Sequence, residues 1–324
     1  MDIYHTALIG TGYWGSIIFN TLCKITKKKI VVFDIDRKNS ELLKKKFNNQ
    51  VLIKKNIKEI FVNKQIKNLI LATHPSVNFK LTKLALNYNK NIFVEKPIVT
   101  DPKKLKILLK LSKKKEKVLM GGYIYLYNPY IIKIKEILKN KLLGKIKYIE
   151  IERKNLGPIR NEVDAHVDLG SHDLSILKYL FKDKIKIKNI VKKEILKKNI
   201  SDISMINLKI KNIICQISSS WLNPTKERKI LIIGSKKMLL FDEMLLKNKL
   251  KIFNKYAYYP KLNKFNANYL SNRARIYLGE TKNIKVNEKD ALKNELLDFI
   301  KSSQNKLTPK SNGYFCLEIL KLLS

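Results

Sequence analysis

Three glycines within six residues, Gly10-Thr11-Gly12-Tyr13-Trp14-Gly15, separate an apolar strand pattern at Tyr4–Ile9 from a helical pattern at Gly15–Ile25. A strand that turns at once into a helix needs Gly10 for the tight turn and Gly15 for close helix–strand packing. Gly12, without a side chain, lets a ligand approach the backbone between them. The first amides of such a helix are unpaired and sit at the positive end of its dipole, which suits a diphosphate. A second strand pattern, Ile30–Asp34, ends in an acid 24 residues after Gly10. A carboxylate there accepts hydrogen bonds from ribose hydroxyls and repels a 2′-phosphate. Loop and acid together predict a dinucleotide site formed by Gly10, Gly12, Tyr13, Trp14, Gly15 and Asp34. NAD is expected over NADP, with Arg37 nearby keeping the second open.

The pattern that follows extends the sheet. Helices around Ser40–Phe47, Ser76–Asn89 and Asp101–Lys115, the last capped by Asp101, alternate with apolar strands at Leu69–Ala72, Asn91–Val94 and Val118–Gly121. Strands apolar throughout, each followed by a helix, imply a parallel sheet covered on both faces. Beyond a helix at Pro129–Lys139 the period changes to two, at Lys145–Arg153, Ser204–Lys211, Ile213–Ser220, Lys229–Ile233 and Met238–Phe241. Turns at Lys211-Asn212 and Gly234-Ser235-Lys236-Lys237 join the later ones, as in an antiparallel sheet. The expected fold is α/β: an N-terminal Rossmann doubly wound parallel sheet over residues 1–122, then a C-terminal α+β domain over 123–324 with an open, mostly antiparallel sheet. A chain of 324 residues is long enough for two such cores. Lys255–Ile284 shows little pattern, and helices at Asp290–Ser302 and Tyr314–Leu323 have no evident place.

Composition excludes several classes. The longest charge-free run, Val118–Ile132, is broken by Gly121, Gly122, Asn128 and Pro129 and is too short to span a membrane. The N-terminus through His5 carries no basic leader, so a cytoplasmic protein is expected. Cys23, Cys215 and Cys316 are widely spaced in apolar surroundings, and no metal is expected. A formal charge of +40 invites a polyanion partner, yet only six of the 67 basic residues are arginines and the lysines are scattered throughout. Arginine is the side chain favoured for bidentate phosphate and base contacts, so no specific nucleic-acid partner is expected.

Two clusters carry candidate chemistry. Glu95-Lys96-Pro97 follows a buried strand, at the carboxyl end of the sheet where open α/β folds bind ligands. Asp168-Leu169-Gly170-Ser171-His172-Asp173 leads into an amphipathic run, and in a helix Asp168 and His172 share a face. Alcohol oxidation needs a base for the hydroxyl proton, and histidine beside a carboxylate is suited to that near neutral pH. Spacing alone favours a helix cap at Asp168 and a buried structural histidine at His172; His5 and His166 are assigned as structural.

In chain order, the Gly10–Gly15 loop, Asp34, Ala72-Thr73-His74-Pro75, Glu95-Lys96-Pro97, Tyr127-Asn128-Pro129, Leu143-Gly144-Lys145-Ile146, Asp168–Asp173 and Trp221-Leu222-Asn223-Pro224 resemble the glucose–fructose oxidoreductase/inositol dehydrogenase (Gfo/Idh/MocA-like) family over almost the whole chain. The resemblance implies NAD(P)-dependent hydride transfer at a carbinol carbon of a sugar, cyclitol or related compound, in a homodimer or homotetramer assembled through the second sheet. It implies that Lys96 polarises the reacting hydroxyl, Asp168 orients substrate and His172 acts as acid/base. Thr73 and Pro75 are implied beside the cofactor and Glu95 near the nicotinamide ribose. Tyr123 stands where many relatives have histidine, so the substrate pocket is expected to differ there. Arg153, Asn155, Leu156-Gly157-Pro158 and Arg160 resemble members of surface-sugar biosynthesis, some acting on nucleotide sugars; Arg153 or Arg160 is then a candidate for an anionic substrate group, a solvated, ion-paired loop being the alternative. A non-catalytic dinucleotide-binding sensor remains the rival, since the fold alone does not imply chemistry.

Overall fold

Short, largely apolar strands are stable only when both faces are covered, and the first sheet is built from them. The computed structural model describes residues 6–160, 163–259 and 273–323. Its first sheet contains β1 (Thr6–Ile9), β2 (Ile30–Phe33), β3 (Val51–Ile53), β4 (Asn68–Leu71), β5 (Asn91–Glu95) and β6 (Leu119–Gly122), in the order β3-β2-β1-β4-β5-β6. Every pairing is parallel, and β1 and β4 are buried at each position. The order reverses between β1 and β4, which makes the carboxyl ends there the ligand-binding edge of a Rossmann sheet. Tyr4 and His5 lie outside the described residues.

The crossovers are α1 (Tyr13–Ile25), α2 (Arg37–Lys46), α3 (Ile57–Val62), α4 (Pro75–Asn87) and α5 (Pro102–Lys114). Local chemistry fixes their starts. Asp36, Asn56, His74 and Asp101 each accept a backbone N–H of the first turn, Asn56 within a full capping box with Glu59. The stretch from β3 through α3 is absent from the sequence expectation. A three-residue edge strand and a six-residue helix, set among lysines and asparagines, are too short to impose a period.

The two compact units do not divide at residue 122. The first comprises Met1–Asn128 and Lys289–Leu322, the second Pro129–Glu288. Thus α9 (Ala291–Asn305) and α10 (Gly313–Leu323), unplaced from sequence, complete the first unit. Phe299 of α9 lies 5.9 Å from Phe93 of β5, ring to ring, and the Tyr127 hydroxyl donates to Asp298 at 2.6 Å. The Gly121 N–H donates to the Ser311 carbonyl at 2.9 Å, so the return segment also occupies the edge beside β6. An expected 123–324 domain is corrected accordingly: a parallel sheet left open at β6 and on the face under α9 would expose the aromatic core that these helices cover.

Among the described residues the second unit holds α6 (Pro129–Lys139), α7 (Ala165–Asp168), α8 (Gly170–Leu180) and eight strands. These are β7 (Ile146–Leu156), β8 (Ile185–Lys193), β9 (Ile203–Ile210), β10 (Ile213–Ser220), β11 (Leu222–Gly234), β12 (Met238–Asp242), β13 (Leu250–Tyr258) and β14 (Arg275–Asn283), ordered β14-β13-β12-β11-β7-β10-β9-β8. Among the described residues only β7 and β10 of this sheet pair in parallel. Alternating burial along β7 sets one of its faces against the helical layer that includes α8. Strands β8, β13 and β14 escaped the sequence reading. Both β8 and β14 lie at sheet edges and are largely exposed, so no buried face imposes a period on their sequences.

Candidate active site

Five strand ends of the first unit converge on one edge. After β1, Gly10 adopts φ +88°, and a Cβ there would collide with the Ala72 carbonyl. A Cβ on Gly15 would collide with the carbonyl of Gly10, so the third glycine is dictated by helix–turn packing. Gly12 differs: a Cβ there would meet no atom within 4 Å. Gly12 is the N-cap of α1 and supplies no side-chain hydrogen bond, and the first turn of α1 carries no acid. Its leading amides are therefore available to an external anion, and the residues fit a dinucleotide diphosphate. Tyr13 is exposed and Trp14 borders solvent at the same helix end.

At the end of β2, Asp34 is fixed by three donors. Thr11 N–H and Thr11 Oγ1 reach Oδ2 at 2.5 and 3.1 Å, and Asp36 N–H reaches Oδ1 at 2.9 Å. A carboxylate accepts about four hydrogen bonds, so one acceptor position remains. Arg37 is exposed and paired with Glu41 at 2.8 Å. Beyond β4, the Thr73 methyl lies 3.1 Å from the Cβ position of Gly10, and its hydroxyl donates to Asn78 Oδ1 at 2.6 Å. Asn78 Nδ2 donates on to the Pro97 carbonyl at 3.2 Å, tying the β4 and β5 loops together. Asn78 was not anticipated, since one asparagine within a helical pattern gives no signal. Pro75 is the first residue of α4, behind the His74 cap.

Glu95 ends β5 beside Gly122 of β6. A Cβ on Gly122 would lie 2.8 Å from both Glu95 oxygens, so the carboxyl rests on that glycine. Burial pushes Glu95 up to about 7, against opposing help from the Trp14 indole N–H, the Lys96 charge and the Lys96 backbone N–H. Lys96 is half-buried and joined to Pro97 by a cis peptide. Tyr123, expected to face substrate, is 4% exposed and packs edge-on against Phe315 of α10 at 5.7 Å.

In the second unit, Asp168 ends α7 and α8 starts at Gly170, but Leu169 between them keeps helical backbone angles. Leu169 N–H donates to Ala165 O and His172 N–H to Leu169 O, so the turn is continuous. Asp168 and His172 are partly exposed on it, whereas Leu169, Gly170, Ser171 and Asp173 are buried. Arg160 Nε lies 3.7 Å from Asp168 Oδ2 on an exposed side chain, so these two candidates are neighbours. Arg153 is placed otherwise. It is 4% exposed, and its Nε and Nη2 donate to Asp173 Oδ1 at 2.8 and 2.7 Å. Asp173 is fully buried, and burial raises its pKa against the opposing charge of Arg153. Arg153 is thus a structural counter-ion, which corrects its candidacy for a substrate anion. Arg228, unnoticed in the sequence, donates to the Lys154 and Glu227 carbonyls and to Asn155 Oδ1. Its signal was its rarity: a planar guanidinium in a chain that otherwise uses lysine marks a site needing several fixed donors. His166, 1% exposed, is held neutral by burial and by the Lys192 charge; Asn161 and Glu162 lie outside the described residues.

Among the described residues no group of histidine, cysteine or acidic side chains is arranged to hold a metal, and no helix is long and apolar enough to cross a membrane.

Residues 4–123 match the model of the GFO/IDH/MocA oxidoreductase family, NAD-binding Rossmann fold, and residues 131–240 match the GFO/IDH/MocA C-terminal domain. Oxidoreductase P35 from Formosa agariphila is 30% identical over 84 residues, which span 26% of this chain and 26% of that protein. Three solved structures illustrate the likeness in fold. UDP-N-acetylglucosamine 3-dehydrogenase GnnA from Acidithiobacillus ferrooxidans is 17% identical with TM-score 0.77, covering 98% of this chain and 94% of that one. The aldose-aldose oxidoreductase from Caulobacter crescentus is 14% identical with TM-score 0.79, at 98% and 94% coverage. GenD2 from gentamicin A biosynthesis, in complex with NAD, is 16% identical with TM-score 0.77, at 98% and 91%.

Proposed function

Starting from the fact that this chain belongs to the GFO/IDH/MocA family of NAD-binding oxidoreductases, we propose that it is an NAD-dependent dehydrogenase or reductase acting on a carbinol carbon of a sugar or nucleotide sugar. The N-terminus of α1, uncapped and free of acid behind a glycine with open space around it, is the observation that carries this reading. Gly10, Gly12, Tyr13, Trp14 and Gly15 hold the diphosphate, Asp34 takes the adenosine ribose, and Thr73, Pro75 and Glu95 border the nicotinamide end. NAD is favoured over NADP because Asp34 is a fixed acid and Arg37 is occupied by Glu41. The bound nicotinamide supplies or accepts the hydride.

The remaining roles belong to side chains. Lys96 Nζ polarises the reacting oxygen, a point charge suited to a developing alkoxide. His172 takes or returns the hydroxyl proton, and Asp168 orients the substrate. Arg160 is left as the arginine for an anionic substrate group, since Arg153 is buried against Asp173. The names of the GnnA and GenD2 structures support a sugar-derived substrate, with UDP-N-acetylglucosamine the first compound to try.

The test follows NAD reduction at 340 nm with a panel of free and UDP-linked sugars, in wild type and in Lys96→Ala and His172→Ala. Each substitution is expected to lower kcat/KM by about 10²-fold or more, the usual loss of an acid–base or oxyanion-stabilising group, with NADH binding retained. Turnover unchanged in Lys96→Ala would overturn the assignment.

A further inference from the structure

The loop between β1 and α1 is tied to the end of β2 by more than its glycines require. Gly10 N–H donates to the Phe33 carbonyl at 2.9 Å. The next residue, Thr11, turns both of its donors the same way: its N–H and its Oγ1 meet one oxygen of Asp34, Oδ2, at 2.5 and 3.1 Å. Thr11 is 3% exposed, and behind it Ser40 of α2, 1% exposed, places its Oγ 3.2 Å from Thr11 Oγ1. Proton counting sets the direction of this chain. An ionised carboxylate only accepts, so the single Thr11 hydroxyl proton goes to Asp34, and Ser40 must donate to Thr11. Other helical serines, Ser112, Ser175 and Ser303, donate to the carbonyl three residues back in their own helix. Ser40 instead reaches out of α2 to the β1 loop.

The three donors divide unequally between the Asp34 oxygens. Oδ2 takes both bonds from Thr11 and is filled, whereas Oδ1 takes the Asp36 N–H at 2.9 Å. The remaining acceptor position therefore belongs to Oδ1. An aspartate without such ties turns about its two side-chain torsions, and Asp34 is only partly buried, followed by the exposed Ile35, Asp36 and Arg37. Two of its three bonds come from one residue, so Thr11 more than Asp36 fixes which oxygen stays open. Arg37 contributes less to any choice between nucleotides. Its pair with Glu41 is exposed at both side chains, 65% and 50%. Exposed pairs one helical turn apart are weak, so a 2′-phosphate competes readily for the guanidinium.

We propose that Thr11, backed by Ser40, is a positioning residue that sets the choice between NAD and NADP, by filling Oδ2 of Asp34 and leaving Oδ1 as the acceptor for an adenosine ribose hydroxyl. This role rests on the reading of Asp34 as the ribose residue. The two nucleotides differ only by the 2′-phosphate, and Thr11 acts on them in opposite directions. NADH offers a hydroxyl donor, which gains a charge-assisted hydrogen bond to an acceptor already oriented. NADPH offers in its place an anionic group, which meets a carboxylate charge that cannot turn aside. Loss of the Thr11 hydroxyl takes the oriented acceptor from NADH and gives NADPH a carboxylate free to swing away. A Thr11 that merely braced the glycine loop would affect both nucleotides alike, because both carry the same diphosphate.

The experiment titrates the full chain with NADH and with NADPH by fluorescence, in wild type, Thr11→Val, Thr11→Ser and Ser40→Ala, with Tm recorded for each. Wild type should bind NADH about tenfold or more tightly than NADPH. Thr11→Val keeps the shape and the N–H but loses the hydroxyl. It should weaken NADH about tenfold and leave NADPH no weaker, so the preference shrinks by that factor. Thr11→Ser restores the hydroxyl and should bring the preference back to within about threefold of wild type. Ser40→Ala leaves Thr11 both of its donors and should cost about threefold in preference. Combined with Thr11→Val it should add nothing, because the two act through one chain; alone, it carries the test if Thr11→Val does not fold. Equal weakening of both nucleotides in Thr11→Val, or a preference unchanged in Thr11→Val and Ser40→Ala, would overturn the role. A wild type that binds the two nucleotides equally would overturn it as well, while leaving the diphosphate site standing. A wild type that binds neither would remove the cofactor reading, and this role with it.

Discussion

At the residue scale, the second unit is organised around one buried ion pair. Arg153 and Asp173 are 5% and 0% exposed at their side chains and meet at 2.7 Å. Removing one partner strands a charge in a dry interior, at a cost of about 3–5 kcal/mol, whereas replacing both with apolar residues can be nearly neutral. Arg153→Met and Asp173→Leu singly should each lower unfolding stability by about 3–5 kcal/mol in urea, and the double variant should recover most of the loss. Equal, additive losses would mean that the pair is not coupled. Sequence made both residues visible but misread one of them: Arg153 stood out as a rare arginine near a glycine–proline loop, and nothing local revealed that β7 points it at α8. By contrast the steric needs for Gly10 and Gly15 were legible, because a tight strand–helix turn leaves no room for a Cβ at either.

At the element scale, most helix starts were written in the sequence and some strands were not. Asp101 was expected to cap α5, and its Oδ1 accepts the Lys103 N–H at 2.7 Å. Asp101→Ala should cost about 1 kcal/mol of stability, read from the urea midpoint at unchanged slope; no change would show the cap to be idle. The segment from α3 to β4 has a hidden fastening that no periodicity could reveal. Lys90, 3% exposed, donates from Nζ to the Asn63 and Ile66 carbonyls at 2.6 and 2.7 Å. Lysine abounds in this chain, so nothing in the sequence sets Lys90 apart from the rest. Period-two alternation found β7, β9, β10 and β12, whose inward positions are apolar, and missed β8 and β14, where edge exposure leaves no buried face to impose a period.

At the scale of the whole molecule, the first unit is discontinuous: its sheet is built early in the chain and closed by residues 289–322. Sequence separates what packing joins, and a boundary drawn where the hydrophobic period changes cannot foresee a returning helix. A chain ending at Glu288 should lose the cooperative unfolding of the first unit, with Phe93 and Tyr127 stripped of Phe299 and Asp298; an intact transition by calorimetry would show that α9 and α10 are dispensable. The account as a whole stands on the α1 N-terminus as a diphosphate cradle, and Gly12→Ala tests it most directly by NADH fluorescence titration. Because a Cβ at Gly12 meets no protein atom within 4 Å, the variant should fold with a Tm within a few degrees of wild type. Yet the added methyl occupies the approach to the amides, so NADH affinity should fall by about tenfold or more. A folded Gly12→Ala that binds NADH as tightly as wild type, or a wild type that binds none, would contradict it.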